Sequence, residues 1–259
     1  MTAISPTFRA HAEAAAVPPV SLDASAAESG VVDAPLFELQ LQFNLFPARY
    51  AHASWVEALG FETPAPDASP FWLRSLSDAL LAMRGLDSHF DLDFSDRAKR
   101  LALLDGPTLL RVGGLAAAIL TRDPMRRVVQ GAHVEALQRL IGVDGHRLAM
   151  QWSGDVPRLP APLHQLSDVL PDAQGWALRG AMLLMSVMPK TSPAVFGRLQ
   201  FKFPQQWARG RKVRVRLEER ERADLMRLFV AIVVRECKEW RWLFDPTLSM
   251  QTPKGVPLQ

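Results

Sequence analysis

Six histidines, one cysteine and two runs of like charge are the places where this sequence could do chemistry. Zinc sites draw on paired ligands at fixed spacing, such as two histidines four apart on one helix face. His11, His52, His89, His133, His146 and His164 form no such pair and no H-E-x-x-H motif. Only His52 has an aromatic setting, between Tyr50 and Trp55, and it reads as a structural histidine. Cys237 lies between Glu236 and Lys238 inside a long helical pattern. A low-pKa thiolate needs a helix N-terminus or a tight cationic pocket instead. A lone cysteine can neither close an internal disulfide nor supply a multi-cysteine cluster, which fits a reducing compartment. Nucleophile-elbow, Walker and dinucleotide glycine motifs are missing. The sequence therefore points to no catalytic, cofactor-binding or metal-ligating residue.

The charge runs say more. From Glu57 to Asp96 there are eight acids and only two bases, Arg74 and Arg84. Calcium loops need a D-x-D-x-D-G order and a glutamate at the twelfth position, and Asp87–Asp96 has neither. That run reads as a solvated acidic face, with Asp87, Asp91 and Asp93 as candidates for docking a protein. From Arg198 to Arg222 the balance inverts, with nine Lys and Arg against three Glu. Within it Arg209, Arg211, Lys212, Arg214 and Arg216 are the candidates for docking an acidic partner. A nucleic-acid-binding regulator using residues 198–222 is the alternative, since alternating arginines could track phosphates. Only Trp207 could stack on a base there. The whole-chain charge of +3 excludes a strongly charge-driven binder.

Elements must position these groups. The 259 residues are 48 % apolar and 22 % charged, the ordinary globular balance. Residues 1–34 are rich in Ala, Ser and Pro, with Phe8 their only aromatic. They hold too little apolar surface to offset chain entropy of ~1–2 kcal/mol per residue, and a disordered tail is expected. Residues 248–259, with Pro253 and Pro257, should also fray. No leader pattern and no run near ~18 apolar residues is found, so a soluble cytoplasmic protein is expected.

Residues 35–247 read as one mainly helical domain with a minor β element. Ser69-Pro70 is a cap and first-turn pair, and Gly85 suits a helix end. A second helix is read from Ser95 to Gly106. The segment from Pro107 to Leu120 is apolar nearly all round and belongs inside. Gly113-Gly114 weakens it by ~1 kcal/mol per glycine unless a neighbouring helix packs close there. Further helices are read over Met125–Gln130, Ala132–Ile141, Arg147–Trp152 and Ala173–Met188, the last capped by Asp172. Period-two alternation predicts strands at 36–43, 199–203 and 213–217. For the first, a helix fits the pattern less well. Glu218–Phe244 contains no Gly or Pro and reads as a helix ~40 Å long.

Three stretches together resemble the SctK family, the YscK-like accessory subunits of bacterial type III secretion. They are Leu39–His52 (LQLQFNLFPARYAH), Leu109–Leu115 continuing to Val129, and Arg198–Pro204 (RLQFKFP), in that order. The likeness spans roughly Leu36–Phe244. It implies a non-enzymatic cytoplasmic adaptor of the sorting platform, peripheral to the inner-membrane base of the apparatus. It further implies two partners, the inner-membrane ring protein SctD and the pod protein SctQ, with no cofactor, no nucleic acid and no membrane span.

Overall fold

The computed structural model describes residues 34–65, 67–127, 131–160, 163, 172–188, 192–209 and 216–244, and every regular element among them is helical. The α-helices are α1 (Ala34–Leu45), α2 (Ala53–Glu57), α3 (Pro70–Met83), α4 (Arg97–Leu101), α5 (Gly106–Leu120) and α6 (Arg122–Arg126). They continue as α7 (Gly131–Ile141), α8 (Val143–Met150), α9 (Ala173–Val187), α10 (Pro193–Phe201), α11 (Gln205–Arg209) and α12 (Glu219–Glu236). A 3-10 helix over Lys238–Leu243 follows.

Side-chain caps start several helices where the sequence places them. Ser69 accepts from the Trp72 N–H at 3.2 Å, with Pro70 in the first turn of α3. Asp172 accepts from the Gly175 N–H at 2.7 Å to open α9. Asp105, not singled out in the sequence, does the same for α5, from Thr108 at 2.7 Å. Each cap satisfies an N–H that the first helical turn leaves without a partner. The Ser95–Gly106 helix is shorter than expected: Asp96 caps it and α4 stops at Leu101. Helix α8 starts at Val143, behind Gly142 at φ 80°, rather than at Arg147.

Helix α5 is the axis of the core, as its all-round apolarity predicts. Leu109, Val112, Ala116, Ala117, Ala118 and Ile119 are fully buried. Helices α8, α9 and α12 pack around it. At the crossing with α9, a Cβ on Gly113 would lie 2.8 Å from the Gly180 carbonyl carbon, so the two backbones touch. A smaller apolar cluster joins Trp55, Val56, Leu76, Leu80 and Phe201. Trp55 is its pivot: its ring meets Phe201 edge-on at 5.1 Å and its Nε1–H donates to the Phe203 carbonyl at 2.8 Å.

Three sequence expectations change. Residues 36–43 are helical, within α1. Its buried side runs through Gln40, Phe43 and Asn44, while Phe37 is 41 % exposed. Polar residues on the inner face hid the helical period from a hydrophobic pattern. Residues 199–201 end α10 and 202–203 turn away from it. Leu199, Gln200, Phe201, Lys202 and Phe203 are all buried, so their alternation does not mark an inside and an outside. Of 213–217, only Arg216 and Leu217 are described, and neither is in a strand. The long final helix breaks at Cys237, where α12 ends and the 3-10 turn begins. Thus the minor β element gives way to helix at 36–43 and 199–201. Of the expected tails at 1–34 and 248–259, only Ala34 is described, and it opens α1; the rest lie outside the described residues.

Candidate docking surfaces

The acidic run forms a loop between α3 and α4. Its candidates do not behave alike. Asp87 and Asp93 are exposed, whereas the Asp91 side chain is only 15 % exposed and faces inward. Lys99 Nζ sits 2.9 Å from Asp91 Oδ2 and donates to the Asp93 carbonyl at 2.8 Å. Ser192 Oγ–H also donates to Asp91 Oδ2. Asn44 braces the backbone of Asp91 twice, donating to its carbonyl at 2.9 Å and accepting from its N–H at 3.2 Å. Asp91 is therefore a structural anion, and the outward acidic face is carried by its neighbours. Hydrogen bonds from Ser95 hold the Asp93 carboxyl below the usual carboxylate range.

The basic run divides more sharply. Arg198 and Lys202 are both interior. Arg198 Nε donates to the Asn44 carbonyl and Nη2 to the Leu86 carbonyl, each at 3.1 Å, and Nη1 donates to Ala194 at 3.4 Å. Burial pulls its guanidinium below the ordinary value, opposed by Tyr50 and Asp91. Lys202 Nζ donates to the Ala102 carbonyl at 2.7 Å and to that of Leu104, the orphan acceptors just beyond α4. The Phe43 and Tyr50 rings flank it at 5.3 and 4.9 Å. Burial pushes this ammonium down to about 7, against the pull of Asp105. Two of the nine cations thus terminate helices rather than face a partner. The absence of aspartate or glutamate near them in sequence gave no hint of this, because their partners are backbone carbonyls.

Of the candidate basic residues, Arg209 is the last residue of α11 and Arg216 is exposed just before the Glu218 cap. Arg211, Lys212 and Arg214 lie outside the described residues. A groove of about 690 Å³ lies between the 152–158 loop and α12, lined among others by Trp152, Pro157, Arg158, Arg220 and Arg227. Asp224 pairs with Arg227 in that groove. A second groove of about 420 Å³, between α5, α7 and α8, is apolar along Leu110, Leu115, Leu140 and Leu148.

The other chemistry-bearing residues have structural roles. His52 Nδ1 accepts from the Ser54 N–H at 3.2 Å and so caps α2. Cys237 is fully buried, and burial pushes its thiol up to about 11. Among the described residues no group of three His, Cys, Asp or Glu could hold a metal ion. Among them too, no helix is long and apolar enough to cross a membrane. The sequence reading missed Phe90 and Leu92, which stand 53 % and 48 % exposed inside the acidic loop. The alternation in Phe90-Asp91-Leu92-Asp93-Phe94 gave no usable signal, because it groups buried Phe94 with exposed Phe90 and Leu92, and exposed Asp93 with inward Asp91.

Neither a curated protein nor a solved structure matches the chain. One family model does, described as YOP proteins translocation protein K (YscK), and it matches residues 38–242. That range runs from α1 through the buried Arg198 and Lys202 into the 3-10 turn after α12. The chain belongs to the YscK family, the SctK family of type III secretion proteins.

Proposed function

We propose that this chain is a non-enzymatic adaptor of the sorting platform. In this reading it links the cytoplasmic domain of the inner-membrane ring protein SctD to the pod protein SctQ, at the cytoplasmic base of the apparatus. Residues 35–247 act as one stiff helical body. The observation that supports the reading is family membership, joined by two stretches of opposite charge along the sequence. One is the acidic loop carrying Asp87 and Asp93. The other is the basic stretch of Arg209, Arg211, Lys212, Arg214 and Arg216. Complementary charge steers and registers a contact more than it tightens it, which suits a part that must hold two partners in fixed orientation.

Rim charges contribute about 0–1 kcal/mol each, so single reversals should do little. The decisive variant reverses all five basic residues to Glu. Capture of purified SctQ and of the SctD cytoplasmic domain is then compared with the wild-type chain. Loss of one partner with retention of the other is expected. Unchanged capture of both would end the basic-face assignment.

A further inference from the structure

Between Leu86 and Phe94 the chain is built inside out. Phe90 and Leu92 are half-exposed, while the Asp91 carboxylate between them is turned in. Ordinary partition would do the reverse, since apolar side chains favour the interior and a charge resists leaving water. Slackness does not explain the arrangement, because the loop is pinned along its length. Leu86 and Phe94 are buried at its ends. The Leu86 carbonyl accepts from Arg198, and the Phe94 carbonyl accepts from Arg100 Nε at 2.7 Å. Asn44, Lys99 and Ser192 hold its middle through Asp91. The Arg198 guanidinium also lies 5.6 Å from the centre of the Phe90 ring. Buried charge thus holds two large apolar side chains out in water.

The rim of this knob has one sign. Gly85–Asp96 contains four aspartates and no Lys or Arg. Lys99 pairs with Asp91 inside and also reaches to 3.7 Å from Asp93 Oδ2, but the Asp93 side chain stays 71 % exposed, so Asp87 and Asp93 are the exposed carboxylates on either side of Phe90 and Leu92. We propose that Phe90 and Leu92 are the anchor of a docking surface for a protein partner whose face offers an apolar cleft flanked by Lys or Arg, with Asp87 and Asp93 steering its approach. This rests on the adaptor reading and names the chemistry of the partner at the acidic end. Apolar anchors that become desolvated set how slowly a complex dissociates, and rim charges set how fast it forms.

The test is surface-capture kinetics on the full chain, with the purified SctD cytoplasmic domain and purified SctQ as the two probes. Four proteins are compared: wild type, Phe90→Ser/Leu92→Ser, Asp87→Asn/Asp93→Asn, and Val143→Ser. Val143 is an apolar residue of α8, 62 % exposed, and serves as the control. Thermal melts establish that the variants fold as the wild type does. Phe90→Ser/Leu92→Ser should weaken one probe by about 30-fold or more, mainly through faster dissociation. Asp87→Asn/Asp93→Asn should slow association of that probe several-fold at low salt and flatten its salt dependence. Val143→Ser should change neither. Wild-type binding that Phe90→Ser/Leu92→Ser leaves intact overturns this inference alone. Binding of neither probe by the wild type defeats the adaptor reading and the inference with it. Self-association of the wild type that Phe90→Ser/Leu92→Ser abolishes assigns the knob to a second copy and also overturns the proposal.

Discussion

Gly113 of α5 and Gly180 of α9 meet backbone to backbone: a Cβ on Gly180 would lie 2.6 Å from the Gly113 carbonyl carbon. Real Cβ atoms do not approach backbone that closely, so the crossing distance of the two central helices is set by the lack of side chains at these positions. The adjacent Gly114 is different. A Cβ there would stand 3.5 Å from Trp176 Nε1, an ordinary contact.

Neighbouring glycines should therefore respond with opposite sign. Gly180→Ala should destabilise the protein by about 1–3 kcal/mol, because overpacking outweighs the helix-propensity gain. Gly114→Ala should be neutral or stabilise by up to ~1 kcal/mol. Urea denaturation of both variants checks this. Equal effects would refute the backbone crossing as the cause.

Lys202 predicts a pH dependence. Its folded value of about 7 lies below its ordinary 10.5, so between those values the unfolded chain binds more protons than the folded one. Stability then rises with pH across that window, and the full burial penalty is present below pH 7. The urea midpoint of the wild type, measured against Lys202→Met at each pH, should climb from pH 6.5 to pH 9. A flat difference would show that Lys202 keeps the same charge folded and unfolded.

Arg198 should hold the acidic loop in place. Arg198→Met takes the side-chain donor from the Asn44 carbonyl, leaves the Leu86 carbonyl only the His89 N–H, and removes the cation beneath Phe90. Losing one partner of a buried charged hydrogen bond costs about 1–3 kcal/mol, and this side chain makes several. The expected result is a loss of global stability together with faster amide exchange over 86–94. Unchanged exchange there, in a protein that is still folded, would mean that the loop stands without Arg198.

Cys237 should be inert in the native protein. Its thiol is buried and its pKa is pushed up to about 11, first by burial, with Glu239, Glu236 and Asp105 reinforcing and Arg111 opposing. Thiol-specific reagents act on exposed thiolate. Labelling at pH 7.5 should be undetectable in the folded state and complete in urea. Rapid native labelling would reveal local opening around the end of α12.

Much of the fold was legible in the residues. Ser69-Pro70 and Asp172 marked helix starts through the N–H groups they satisfy, and the apolarity of Leu109–Leu120 placed α5 inside. The match from 38 to 242 agrees with the resemblance carried by LQLQFNLFPARYAH and RLQFKFP. These signals are local, and a sequence expresses local physics directly.

The misreadings were the places where distant groups intervened. Residues 36–43 alternate as a strand would, yet Asn44 reaches across to the Asp91 backbone, and the helix turns a polar edge inward to meet it. Arg198 and Lys202 look like part of a basic surface until carbonyls of Leu86 and Leu104, about a hundred positions away, accept their hydrogen bonds. No Gly or Pro marks Cys237 as a break. The 3-10 turn there brings Trp240 Nε1 to Asp105 at 3.1 Å and the Leu243 carbonyl to Arg100 at 3.0 Å. Sequence by itself determined the helical class, the caps and the family, because each follows from neighbours along the chain. Tertiary structure alone decided which charges face water, because the free energy of a buried ion depends on acceptors that only folding brings within reach.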